Sequence, residues 1–207
     1  MWNKRRIKMV EEQIISRGVR DTRVIEAMKT IPRHLFVDKR QLERAYTDHP
    51  LPIGEGQTIS QPYIVAYMLE RLNLKGYERV LEVGTGSGYE AALLSVLCRE
   101  VVTIERVHRL AERASVKLRE MKFDNIEVVE GNGYNGWKSR APYDVIILSA
   151  APEYVPENLI TQLAPGGRMI MPLGRFIQEL IIIYRDREGN LTKETLLPVM
   201  FVPMVED

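Results

Sequence analysis

Cys98 is the single cysteine in 207 residues, so no disulfide can form within the chain. A reducing compartment is the expected setting, and the cytoplasm the expected location. No apolar run approaches the ~20 residues that a membrane helix requires. The opening segment, MWNKRRIKMVEEQII, has basic residues, but Glu11 and Glu12 break any apolar stretch of the kind a secretion signal carries. An excess of one charge is also missing. The net charge of +1 creates no field that favours nucleic acid or an anionic membrane, so neither is an expected partner. Histidine is scarce, and His34, His49 and His108 lack the spacing of metal ligands, so no metal is expected. Internal repeats and low-complexity tracts are absent. What remains is an ordinary soluble composition, 45% hydrophobic and 28% charged, in a chain long enough for one substantial core.

The chain is organised around RVLEVGTGSGY, residues 79–89. Val80, Leu81 and Val83 make the short apolar run of a buried parallel strand. Gly84, Gly86 and Gly88 follow at alternate positions, and an apolar helix begins behind them. A strand, a glycine turn and a helix aim backbone N–H groups and a helix N-terminus at a polar ligand.

Before this stretch, the pattern predicts a helix over residues 3–17 ended by Gly18, and a second helix capped by Asp21 and stopped at Ile31-Pro32. A short charged helix is expected from Asp38 to Ala45. Residues 46–62, YTDHPLPIGEGQTISQP, form an irregular segment too long for a passive connection, and its interior apolar residues argue that it is ordered. A helix is expected from Tyr63 to Leu72. After the glycine turn, strands are expected at 100–105, 126–130, 143–149 and 167–172, with helices at 108–121 and 156–163. Two further strands, 179–184 and 196–203, read as a hairpin around Gly189-Asn190. This alternation predicts an α/β fold: a doubly wound, mostly parallel Rossmann-like sheet with helices on both faces and an antiparallel C-terminal hairpin. Residues 1–75 would be a helical and loop extension carrying the active-site segment, residues 76–207 the core, and the two together a single domain.

The glycine spacing is G-x-G-x-G, whereas a dinucleotide fingerprint is G-x-G-x-x-G, so a dehydrogenase is disfavoured. Glu105 ends the second strand of the core, where an acidic side chain can accept hydrogen bonds from ribose hydroxyls. Asn132, in the loop GNGYNGW, is placed to read an adenine edge or to serve as a plain turn residue. An adenosine ligand without a pyrophosphate satisfies both features, and S-adenosylmethionine is the leading candidate. Ser60 alone reads as an N-cap for the helix that follows it. A methyltransferase acting on RNA or a small molecule and a catalytically silent binding protein are the alternatives.

Several segments together resemble the protein-L-isoaspartate O-methyltransferase family: IPRHLFV, AYTDHPLPIGEGQTISQPYIVA, VLEVGTGSGY, GNGYNGW, YDVIILSAAP, LAPGGRMIMPLG and FVPM. The resemblance spans nearly the whole chain, and GEGQTISQP is its most specific part. It implies methyl transfer from S-adenosylmethionine to the free carboxylate of an L-isoaspartyl residue in a damaged protein, followed by collapse of the ester to a succinimide. By the same resemblance Ser60 is the active-site residue, and Gln57, Thr58 and Ser60 lie over the cofactor. Gly84, Gly86 and Gly88 hold its methionine end with Glu82 nearby, Glu105 holds the ribose, and Asn132 and Gly133 meet the adenine. Ala150-Ala151-Pro152 and Phe201-Val202-Pro203 shape the peptide groove. Asn132 departs from the aspartate usual in that loop. The two Asn-Gly pairs, Asn132-Gly133 and Asn135-Gly136, are expected to form isoaspartate themselves unless the fold holds their loop.

Overall fold

The computed structural model describes residues 1–206. The chain opens with α1 (Trp2–Met9), which continues through a π-helical turn at Val10–Ile14 and a 3-10 turn to Arg17. Gly18 ends this run in the left-handed region, as its sequence position implies. The predicted helix is therefore present but wound unevenly, with Val10 and Ile14 buried across the wider turn. In α2 (Thr22–Thr30), the Asp21 carboxylate accepts from the N–H groups of Arg23 and Val24, the expected cap. The charged segment after Asp38 is a 3-10 helix, Lys39–Arg44.

The segment expected to be irregular contains a hairpin, β1 (Leu51–Gly54) paired antiparallel with β2 (Gln57–Ile59). Leu51, Ile53 and Ile59 point into the core, which orders it. Helix α3 (Pro62–Leu72) follows.

The main sheet begins with β3 (Arg79–Val83), followed by α4 (Tyr89–Ser95), β4 (Glu100–Glu105), α5 (His108–Glu120) and β5 (Ile126–Glu130). Next come β6 (Tyr143–Leu148), α6 (Glu157–Gln162), β7 (Leu163–Leu173), β8 (Gln178–Arg185) and β9 (Leu191–Val199). The seven strands lie in the order β5-β4-β3-β6-β7-β8-β9. Pairings from β5 through β7 are parallel, and β8 and β9 are antiparallel to their neighbours. The last strand runs earlier than the sequence suggests, over 191–199 rather than 196–203. The residues after it cross back to the sheet, where Pro203 bridges Ala151 in parallel.

Both sheet faces are covered. The N-terminal helices, the hairpin and α3 to α5 share one continuous apolar cluster with Val80, Val101, Val145 and Ile170 of the sheet. On the other face Leu81, Val102, Ile146 and Met169 pack against Leu159 of α6 and against Met204. Strands buried on both faces explain the unbroken apolar runs that made them readable. Among the described residues, no helix is long and apolar enough to cross a membrane.

Candidate active site

The strand order reverses between β3 and β6, and ligands of open α/β sheets bind beyond the carboxyl ends of strands at such a point. A cavity of about 350 Å³ opens there. Its floor is the glycine turn. Gly84 has φ 101°, a left-handed conformation that L side chains rarely adopt, so glycine is needed where β3 and β6 leave the sheet side by side. The C-terminal segment forms one wall: Ala151 N–H donates to Val202 O at 2.8 Å and Met204 N–H to Ala151 O at 2.8 Å. Val202 and Pro203 line the cavity together with Ala150.

The opposite wall is the hairpin and the residues that leave it, Gln57, Thr58 and Ser60. Three side chains fix this wall. Arg113 donates to Ile53 O at 3.1 Å and so ties the hairpin to α5. Asp48 accepts from Tyr63 N–H at 3.1 Å, from Gln61 Nε2 at 2.7 Å and from Arg17 at 2.5 Å, holding the start of α3. Arg33 is fully buried. Its Nε donates to Ala45 O at 2.9 Å and its Nη2 to Ser60 O at 2.7 Å, and its guanidinium lies 5.1 Å from the centre of the Tyr89 ring. Burial pulls its pKa down to about 10, so it stays cationic at neutral pH. Ser60 does not cap α3. Gln61 occupies the N-cap position, and among the described residues the Ser60 hydroxyl has no hydrogen-bond partner. Its carbonyl is anchored while its hydroxyl is left to the cavity.

Three carboxylates, Glu82, Glu90 and Glu105, line the same space. Glu105 Oε2 accepts from Gly86 N–H at 2.8 Å and Oε1 from Val107 N–H at 2.9 Å. The carboxylate thus holds the glycine turn, and each oxygen keeps acceptor capacity for a ligand hydroxyl. Glu82 is wholly buried; its Oε2 accepts from Thr103 at 2.5 Å, and its Oε1 has no partner among the described residues. Glu90 Oε2 accepts from the Ser149 hydroxyl, and its Oε1 is likewise unpaired. Desolvation and the neighbouring Glu90 push Glu82 well above the usual carboxylate range. Desolvation raises Glu90 to about 7, against the opposing effect of Ser149.

Eight of the ten residues expected at the site line the cavity: Gln57, Thr58, Ser60, Glu82, Gly84, Gly86, Glu105 and Gly133. Gly88 and Asn132 do not. Gly88 faces α5, with Leu118 3.3 Å from the position of a Cβ. The Asn132 Oδ1 accepts from Tyr134 N–H at 2.9 Å and starts a 3-10 turn, the plain turn role. Sequence reasoning missed Glu90, Ser149 and Arg33. Glu90 is one polar residue in an apolar helix, and its partner is 59 positions away.

The sequence model of the family described as protein-L-isoaspartate(D-aspartate) O-methyltransferase (PCMT) matches residues 4–207. The chain belongs to that family. A protein-L-isoaspartate O-methyltransferase of Methanoculleus marisnigri is 51% identical over 201 residues, covering 97% of this chain and 91% of the relative. One from Pelobacter propionicus is 49% identical over 203 residues, covering 97% and 90%. A family structure from Plasmodium falciparum, in complex with S-adenosyl-L-homocysteine, superposes with a TM-score of 0.85 at 27% identity, covering 98% of this chain and 99% of that one. Another protein-L-isoaspartate O-methyltransferase structure gives 0.88 at 29% identity, covering 99% of this chain and 66% of that one. These similarities reach across the helical extension as well as the sheet.

Proposed function

We propose that this protein transfers a methyl group from S-adenosylmethionine to the free carboxylate of L-isoaspartyl residues in damaged proteins and peptides. The observation that carries the reading is one cavity at the sheet reversal, with acidic groups on its floor and the unengaged Ser60 hydroxyl on its wall, in a chain of this family. Its volume suits a cofactor of that size. The unpaired oxygens of Glu82 and Glu90 suit a ligand that brings positive charge and N–H donors. The cofactor, when bound, supplies a methyl carbon made electrophilic by its sulfonium.

In this reading Glu105 accepts from the ribose hydroxyls while keeping Gly86 in place, and Gly133 packs against the adenine. Gln57 and Thr58 cover the cofactor. The Ser60 hydroxyl donates a hydrogen bond to one oxygen of the substrate carboxylate and aims the other at the methyl carbon. That carboxylate, with a reference pKa of ~4, is already ionised, so no protein base is required. The contribution of the protein is alignment, worth several kcal/mol where the reacting atoms are held in line, and exclusion of water. The new ester is then attacked by the following backbone nitrogen and expels methanol, and the succinimide formed hydrolyses in part to normal aspartate. Residues 1–75 and 76–207 act as one catalytic domain, the first supplying Ser60 and the second the cofactor floor.

The test is methyl transfer to an isoaspartyl peptide beside its aspartyl twin. Labelling of the first and not of the second is expected; equal labelling, or none of either, would overturn the reading.

A further inference from the structure

Glu82 lies on β3 and Glu90 in the first turn of α4, and both are buried in the wall of one cavity. Each has one oxygen satisfied by a hydroxyl, from Thr103 or Ser149, and one oxygen with no partner among the described residues. Two ionised carboxylates arranged this way would be repelled and poorly solvated, and such pairs commonly retain a proton. Among the described residues, neither carboxylate has a cationic hydrogen-bond partner. Glu105 on β4 adds a further negative charge, and Arg106 follows it in the lining. The hairpin contributes uncharged Gln57, Thr58 and Ser60, and the C-terminal wall contributes uncharged Val202 to Val205. Tyr89, beside Glu90, is held neutral by burial, its hydroxyl donating to Met28 Sδ.

We infer that Glu82 and Glu90 share one proton in the cofactor-free protein and release it to solvent when the α-ammonium of the cofactor reaches their two unpaired oxygens. The inference rests on the cofactor reading above, and it gives Glu90 a binding role. Between the two positive groups of the cofactor, the ammonium fits, because an orphaned oxygen needs an N–H donor and a sulfonium has none. The balance is simple: one proton leaves the pair and one ammonium enters, so the net charge of the pair with its cationic partner stays at −1. Both S-adenosylmethionine and S-adenosyl-L-homocysteine carry the ammonium, so both should expel the proton. 5′-Methylthioadenosine, which lacks the amino-acid end, should not. The raised titration of Glu90, to about 7, places the effect near neutrality.

The experiment is calorimetric titration of the full chain with each of the three ligands, in buffers of low and high ionisation enthalpy, between about pH 6 and pH 8.5. For the two amino-acid ligands, release should approach one proton at about pH 6 and fade by about pH 8.5, with affinity falling up to tenfold per pH unit on the acid side. Glu90→Gln keeps an acceptor for Ser149 and should cut the release at least by half and flatten the pH dependence. Equal heats in both buffers, undiminished release in Glu90→Gln, or equal release with 5′-methylthioadenosine would overturn the inference. Should the variant fail to fold, infrared difference spectra of the natural protein decide: loss of a protonated-carboxyl band on binding supports the shared proton, and its persistence overturns it. Binding without proton release removes only this inference, whereas absence of binding removes the cofactor reading too.

Discussion

Replacing Arg33 by methionine should loosen the cavity wall that carries Ser60 and lower stability together. Two charge-assisted hydrogen bonds are lost, to Ala45 O and Ser60 O, each worth about 1.5–3 kcal/mol, together with a buried ring contact of about 1–2 kcal/mol. Opposing them is the cost of burying the guanidinium. The fall of its pKa from 12.5 to about 10 sets that cost at roughly 3 kcal/mol. The difference leaves a loss of about 1–5 kcal/mol, centred near 3. For a chain of this length that lowers Tm by roughly 6–12 °C. Urea unfolding followed by circular dichroism measures the loss directly, and methylation kinetics measure its effect on Ser60. On the proposed role of Ser60, turnover should fall by more than cofactor affinity, because Arg33 anchors the Ser60 carbonyl. Arg33→Lys should be intermediate, since an ammonium cannot reproduce the planar fork of donors. An unchanged urea midpoint for Arg33→Met with an unchanged slope would refute the reasoning, because the two carbonyls would then have found other partners.

Ser60→Ala should reduce methylation of an isoaspartyl peptide by about 5- to 30-fold, the effect of about one or two kcal/mol of lost alignment, while melting stays unchanged; full activity would remove the serine from the reaction. In Gly133→Ala the new Cβ would lie 2.4 Å from Val83 Cγ1 and 2.9 Å from Met204 Cε, so a destabilisation of about 1–3 kcal/mol is expected in denaturant titrations. The cofactor-free protein should be more stable in mild acid than at neutrality as far as Glu90 is concerned. Its folded pKa, about 7, is raised above the ordinary value of 4.5, so its contribution is complete below about 4.5 and disappears as pH rises through 7. Glu90→Gln should flatten that part of the stability curve, and a curve unchanged by the variant would count against the raised pKa. Peptide mapping after prolonged warming should find both Asn-Gly pairs intact, because Asn132 Oδ1 is held by Tyr134 N–H and the Gly136 N–H is held by Gly133 O at 3.1 Å.

What could be read from the sequence followed from how local each signal is. Strands β4 and β5 have the expected bounds because their apolar runs end sharply in charged or turn residues. The Asp21 cap needed only its own neighbours. The β1–β2 hairpin escaped because its strands are four and three residues long, one carries proline, and Glu55 in its turn adopts a left-handed conformation, φ 52°, that usually marks glycine. The π-helical turn at Val10–Ile14 has no local signature; it lets both apolar side chains reach the core. At the site, Glu105 and Gly84 were readable from the strand–turn–helix pattern. Arg33, Glu90 and Ser149 were not, since each acquires its role only from a partner across the fold. Gly88 and Asn132, expected at the ligand, lie outside the cavity lining, where they meet local demands of close packing against α5 and a turn.

The anchoring of Ser60 by its carbonyl separates two properties that usually travel together. The main chain at this position is placed by Arg33, and that hydrogen bond is indifferent to the side chain attached to the same residue. A different side chain could therefore occupy the same point in the cavity without moving the wall. On the proposed role of Ser60, the framework sets where the side chain sits and leaves its chemical kind open, so the position can change function at little expense in folding.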